Sequence, residues 1–346
     1  MSAADATSTG EIAAIGRPSL KRYRNVVAIP LVMLAAALAA AGFANGYWIS
    51  TLTSAAAIAL AASGVGLLYG QLGLVSLCQY SLLGVGGWVA LRLGFAFHLP
   101  FELNLLAAGI VSSTVGVLWG LPALRLRGLY LALVTLMLAG GFQVVINAWG
   151  FPDGGPGFLG RADATQRLMM ARPAAATSNT AYFFYSVIVV ALGLMVVELH
   201  RRTKPGRAWA LIRAGETTAL AAGVNLLLYK TWAFALAGFL AGVAGALLAG
   251  GVGQLDGRAF PASESLSLFA LTVVGGVYNW VGAVITGLLL RAVPSLLTDY
   301  GVDGNVAMMF FGAALLHALI TAPTGIAGQI GGLITRLERL ATRSRP

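Results

Sequence analysis

Charge is scarce in this chain of 346 residues: Lys, Arg, Asp and Glu together make up only 10% of it, far below the roughly 25% of a soluble domain. That scarcity excludes an ordinary water-soluble fold, and with 58% of residues hydrophobic most of the chain has to lie in lipid. A single cysteine, Cys78, rules out an internal disulfide. The three histidines, His98, His200 and His317, are scattered, and none has a second His or Cys at a metal-ligand spacing. Acidic residues are nearly missing from the apolar runs, which argues against the proton relay of a secondary transporter. Neither a phosphate-cradling Gly-rich loop ending in Gly-Lys-Ser/Thr nor a nucleophile elbow is present. Enzymatic chemistry therefore has no visible seat, and neither a catalytic residue nor a bound cofactor or metal is expected in this chain.

What the chain does have is a series of apolar runs from Val26 to Thr321. A helix needs about 20 apolar residues to cross the hydrocarbon core. Dividing the runs at charge and turn signals gives spans near 26–44, 48–68, 74–97, 104–122, 129–149, 181–199, 231–251, 266–278, 280–298 and 304–321. Every backbone amide in lipid must be paired within its segment, and the alternation of a closed barrel is missing, so the predicted fold class is all-α with about ten transmembrane helices. The eighth and ninth spans are divided only by Tyr278-Asn279-Trp280, and both two crossings and one broken element fit them. Arg17, Lys21, Arg22 and Arg24 before the first run resemble the start of a signal peptide. That run exceeds the roughly 7–15 residues of a signal core, so a retained first helix is expected. The predicted organisation is a basic tail over 1–25, a membrane domain over 26–321 and a second basic tail over 322–346.

The net charge of +10 raises nucleic acid as a partner, yet the cations follow a membrane pattern. Ten crossings place Arg125 and Arg127, the stretch from Arg201 to Lys230 and that from Arg336 to Arg345 on the side of the N-terminal cluster. Glu102, Asp153, Asp163, Asp256, Glu264, Asp299 and Asp303 fall on or near the other side. The excess of Lys and Arg in cytoplasmic loops then predicts both termini inside, a lipid bilayer as surroundings and no nucleic acid as partner. Arg291 is the candidate for a buried charge, either a packing or interface anchor or a coupling site. The 45 glycines recur at helical spacing, as in Gly66 with Gly70 and Gly238 with Gly242, a pattern that lets helices approach closely. No internal repeat is evident in the sequence.

Two long loops stand out, an external one over 150–180 with Asp153-Gly154-Gly155-Pro156-Gly157, and a cytoplasmic one over 200–230. In the second, Pro205 suits a first helical turn, Trp209 and Ile212 share a face, Gly223 suits a left-handed helix end and Asn225 an N-cap. Short amphipathic helices parallel to the membrane are expected there.

An acidic residue, Glu216, followed by small residues and then Gly223, between two membrane helices, resembles the coupling loop of bacterial ABC importer permeases. More specifically, the chain resembles the branched-chain amino-acid ABC transporter permease family, on its LivM-type branch, over about residues 50–330. The resemblance rests on Gly73-Leu74-Val75-Ser76-Leu77-Cys78-Gln79-Tyr80 with Gly84 and Gly86, and on Leu124 to Tyr130 with Thr135. It continues through Gly154-Gly155-Pro156-Gly157, Pro205 to Asn225, Val274-Gly275-Gly276 with Gly282, and Pro323-Thr324-Gly325-Ile326. The chain departs from that pattern at Cys78, Tyr278 and Thr217-Thr218.

The resemblance implies a permease subunit in a bacterial cytoplasmic membrane, importing branched-chain or related hydrophobic amino acids. It implies a homologous second permease or a second copy, two ATPase subunits that use ATP and Mg, and an external solute-binding protein. Arg207, Arg213, Glu216, Ala219, Gly223 and Asn225 would form the coupling loop. Ser76, Gln79, Tyr80, Ser81, Tyr130 and Thr135 would supply neutral polar groups along the path, since a zwitterion needs hydrogen-bond partners that do not hold it too tightly; helix packing through the same hydroxyls is the alternative. Urea or short amides as solute, a secondary transporter and a non-transporting scaffold remain as rival readings.

Overall fold

The computed structural model describes residues 24–124, 126, 128–162, 167–303, 306, 309, 312, 313, 325–330 and 332. The predicted tails and the tenth span, 304–321, lie almost wholly outside the described residues. Among these residues the chain is all-α, with no strand. The helices are α1 (Arg24–Phe43), α2 (Gly46–Leu72), α3 (Gln79–Phe97), α4 (Phe101–Gly120), α5 (Leu129–Trp149) and α6 (Asn179–Arg202). They continue as α7 (Lys204–Ala214), α8 (Glu216–Ala221), α9 (Leu226–Val252), α10 (Ala262–Gly275) and α11 (Trp280–Asp299). Seven of them, α2 to α6, α9 and α11, are long and apolar enough to cross a membrane, and α1 holds a shorter apolar stretch, Ala28–Phe43.

Caps written in the sequence fix where the helices begin. Asn45 accepts from Trp48 N at the start of α2, Ser178 from Ala181 N at α6 and Asn225 from Leu228 N at α9, each satisfying one of the free first-turn amides. Helices α2 and α9 form the centre, with 78% and 83% of their apolar windows buried, while α5 and α11, at 28% and 22%, are outermost. The central pair runs antiparallel: a Cβ on Gly64 would lie 3.1 Å from Ala237 O, and one on Gly251 would lie 3.9 Å from the Thr53 side chain. Small residues allow such approaches throughout. A Cβ on Gly242 would sit 2.4 Å from Ala108 O of α4, and one on Gly86 of α3 would sit 2.3 Å from Gly242 O. The predicted stripe of Gly238 and Gly242 is thus a helix-packing seam.

The structure departs from the expected spans at two places. The third was expected from 74, but α2 ends at Gly73, whose φ of 71° ends the helix in the left-handed conformation. The chain then runs without helix over 73–78, and α3 begins only at Gln79. The eighth was expected over 266–278. The helix there, α10, lies earlier, over Ala262–Gly275, and its 14 residues, about 21 Å at 1.5 Å per residue, are shorter than a core of about 30 Å, as in the broken-element alternative. It follows a second break, 253–261, opened by Gly253 with φ 81° and holding a one-turn 3₁₀ helix, Gly257–Ala259. A pattern the sequence does not display emerges here: each central helix has 27 residues and ends at a left-handed glycine, followed by a non-regular stretch and a shorter helix.

Candidate translocation path and coupling loop

The two breaks bring the first turns of α3 and α10 together. Phe260, just before α10, packs its ring 5.5 Å from that of Tyr80 in the first turn of α3, and 5.1 Å from Phe151. Tyr80 Oη accepts a 2.6 Å hydrogen bond from Arg291 Nη2 of α11, so Arg291 reaches across to the break. Glu264 stands in the first turn of α10, four residues after Phe260. Polar atoms without hydrogen-bond partners collect on these elements: both amide atoms of Gln79, Glu264 Oε2, Ser265 Oγ and Arg291 Nε are buried and unpartnered. Native interiors leave few such groups, and each calls for a reason.

Of the predicted path residues, Ser76, Gln79, Tyr80, Ser81 and Thr135 are all buried about the first break. Thr135 Oγ1 accepts from Leu77 N at 2.9 Å and donates to Leu131 O, pairing an amide that the broken helix leaves free. Ser76 Oγ lies 3.3 Å from Cys78 Sγ. Tyr130 stands apart, 72% exposed on the outer side of α5. Glu264, Phe151 and Phe260 were not among the predicted site residues. Glu264 was counted with the charges near an outer interface, and the cue that would have moved it inward is its place three residues after Pro261, in the first turn of an apolar helix.

Above Phe151 opens a polar cavity of about 790 Å³, lined by Asp153, Arg161, Arg167, Gln254, Asp256 and Arg258 among others. Asp153 faces Arg167 at 3.5 Å and Arg161 at 3.9 Å. The 150–180 loop is anchored to the end of α9 by Arg172, which donates to the carbonyls of Gly250 and Gly251 and lies over the Tyr182 ring. A cation there suits the negative end of the helix dipole.

At the opposite end, α7 and α8 bridge α6 and α9, so the predicted loop of 200–230 narrows to 203–225 between helix ends. Pro205 stands in the first turn of α7 as expected. Trp209 is fully buried and donates from Nε1 to Tyr229 O at 2.9 Å. Gly223 has φ 75°; its N–H reaches Leu220 O and that of Val224 reaches Ala219 O, a Schellman end. Ala219 is buried beneath it, and Arg207 points outward. Arg213 turns toward the membrane helices: it donates to Gly70 O at the end of α2 and, at 2.7 Å, to the Tyr278 hydroxyl, with its guanidinium 5.2 Å from that ring. Arg201 of α6 donates to Tyr278 O.

Glu216, expected in the coupling loop, has a partner within this chain. It is ion-paired at 2.8 Å with Lys230, whose side chain is 2% exposed. Lys230, counted from sequence as a loop cation, belongs to α9 and is covered.

A family model described as branched-chain amino acid transport system / permease component matches residues 47–319, from the first turn of α2 past the end of α11. The chain is 26% identical over 282 residues to the high-affinity branched-chain amino acid transport system permease protein LivM of Salmonella typhimurium, and 27% identical over 282 residues to that of Escherichia coli. Each match covers 76% of this chain and 66% of the relative, just under two thirds of the relative's length. A probable branched-chain amino acid transport permease protein LivH of Methanocaldococcus jannaschii is 29% identical over 153 residues, covering 42% of this chain and 46% of that one. No solved structure matches the chain. With the family model covering both breaks and the loop between α6 and α9, the chain belongs to the permease components of branched-chain amino acid transport systems.

Proposed function

We propose that this chain is the membrane-spanning permease subunit of an ATP-driven importer, carrying branched-chain or related hydrophobic amino acids across a bacterial cytoplasmic membrane. The family match over residues 47–319 carries the reading. In it the α7–α8 loop faces the cytoplasm and docks on two ATPase subunits, which bind the ATP and Mg. The 150–180 loop and its cavity face outward and receive solute from a binding protein, and a homologous permease or a second copy completes the pore. Ten crossings with both termini cytoplasmic agree with the placement of the cations. Solute would descend from the polar cavity past Phe151 and Phe260 to the polar groups at the breaks, and leave as ATP-driven closure of the ATPases moves the loop. The test is reconstitution. Proteoliposomes with the ATPases, the second permease and the binding protein should accumulate labelled leucine only when ATP is present, and the chain alone should neither hydrolyse ATP nor accumulate solute. Gradient-driven uptake by the chain alone would overturn the reading.

A further inference from the structure

The cluster at the two breaks holds one cation and one anion: Arg291, bonded to the Tyr80 hydroxyl, and Glu264, in the first turn of α10 just after Phe260, whose ring packs on that of Tyr80. Charge inside a membrane protein is costly and is kept for function. A structural pair would use up its own hydrogen-bonding capacity. Here Arg291 Nε and Glu264 Oε2 are buried without partners, as are Ser265 Oγ and both amide atoms of Gln79, a side chain that is 1% exposed. The surroundings sharpen the picture. Two helix N-termini meet at this point, brought together by the packing of Phe260 on Tyr80. At α10 the Ala262 amide is taken by Gln143 Oε1 at 2.9 Å, whereas Cys78 offers no side-chain cap to α3, so the first-turn amides of α3 and its positive dipole end remain available to an anionic group, the arrangement that broken helices use for carboxylates. The rings of Phe142, Phe151 and Phe260 stand close by, two of them against Gly84.

We infer that Arg291 and Glu264, with Tyr80 and Gln79 between the helix ends, form a mid-membrane station for the zwitterion of an α-amino acid. Arg291 and the α3 amides take the carboxylate, Glu264 takes the ammonium, and the phenylalanine rings face an apolar side chain. The inference rests on the permease reading and deepens it. One positive and one negative group cancel in net charge but not in pattern, so a solute carrying both charges satisfies the station, whereas urea or a short amide leaves both ions unmatched and desolvated.

Saturation-transfer NMR on the full chain in lipid nanodiscs tests this with three probes of one carbon skeleton: leucine, 4-methyl-2-oxopentanoate, which lacks the ammonium, and 3-methylbutylamine, which lacks the carboxylate. Leucine should bind at least tenfold more tightly than either analogue. Arg291→Gln should weaken leucine and the keto acid at least tenfold while leaving the amine unchanged, and Glu264→Gln should weaken leucine and the amine while leaving the keto acid unchanged. A merely structural role cannot produce this charge-matched pattern. If the variants weaken all three probes alike, or leave leucine unaffected, the station is wrong. Leucine import by the assembled transporter, measured in parallel, separates the two levels: import without the pattern removes the station alone, and no import removes both it and the permease reading.

Discussion

Glu216 shows how far a single residue can be read from sequence. Its place at the start of a short helix was legible, because a carboxylate is favoured there by the dipole. Its partner was not, because Lys230 lies a turn inside the next membrane helix and no local spacing connects the two. The pairing changes what substitution does. Glu216→Lys sets two cations together, one of them buried, and removing one partner of a covered pair costs several kcal/mol. With Glu216 at 18% side-chain exposure, about 2 kcal/mol is expected, or roughly 30-fold faster amide exchange over 216–225. The swapped pair Glu216→Lys with Lys230→Glu should regain most of the protection; wild-type exchange in the single variant would show that the pair holds nothing. Gly223 differs in kind. Its φ is 75° and nothing lies within 4 Å of a Cβ placed there, so the cost of substitution is in the backbone alone, about 1–2 kcal/mol. Gly223→Asn should retain ATPase co-purification, Gly223→Ala should weaken it and Gly223→Val should weaken it most. Equal retention by all three would remove the left-handed turn from the coupling argument.

At the scale of elements, the sequence displayed the apolar runs plainly, and α5 ends where the runs of hydropathy say it should, at Leu129 and Trp149. The breaks were hidden. Leu74, Val75 and Leu77 read as more of an apolar helix, since hydropathy registers burial and not backbone state; only Gly73 carries a local signal, and that signal is shared with packing glycines such as Gly86. What holds the non-helical stretch in place is tertiary: the hydroxyl of Thr135, 58 positions away, accepts the Leu77 amide. Thr135→Val keeps the shape and leaves that amide unpaired in a buried setting, a loss of about 1–3 kcal/mol. Thr135→Ser keeps the acceptor. Cys78, the lone cysteine and 1% exposed, reports on this without engineering. Its labelling by a small soluble thiol reagent should accelerate about tenfold or more in Thr135→Val and remain near wild type in Thr135→Ser. Unchanged labelling in both would mean that the break is held by packing alone.

The α7–α8 loop and the polar cluster at the breaks meet on one pair of helices, α10 and α11, which links the two ends of the whole molecule. The 276–279 turn joins α10, which carries Glu264, to α11, which carries Arg291. Its Tyr278 is gripped from both sides: Arg201 of α6 holds the carbonyl, while Arg213 of α7 holds the hydroxyl and lies against the ring. Arg213 also fixes the end of α2 through Gly70 O, and α2 leads directly into the first break. A Cβ on Gly70 would lie 2.6 Å from Val277 O, so turn and helix end are already in backbone contact, and the arginine ties the loop to both. In the proposed importer a displacement of α7 would thereby be passed to the first break and to the α10–α11 hairpin together. The Tyr278 hydroxyl contributes one charge-assisted hydrogen bond, about 1.5–3 kcal/mol, and Arg213 contributes that bond, the bond to Gly70 O and the cation–ring contact. In the reconstituted importer, Tyr278→Phe should therefore lower the leucine moved per ATP hydrolysed by several-fold, and Arg213→Ala should lower it further, because ATP turnover continues while the hairpin no longer follows the loop. Arg213→Lys should restore little, since an ammonium is a compact point donor that does not match two oxygens held by a planar fork. Solute-to-ATP ratios that stay at the wild-type value in Tyr278→Phe and Arg213→Ala would show that the loop drives the membrane helices by another route, with the termini of α6 and α9 as the remaining covalent connections.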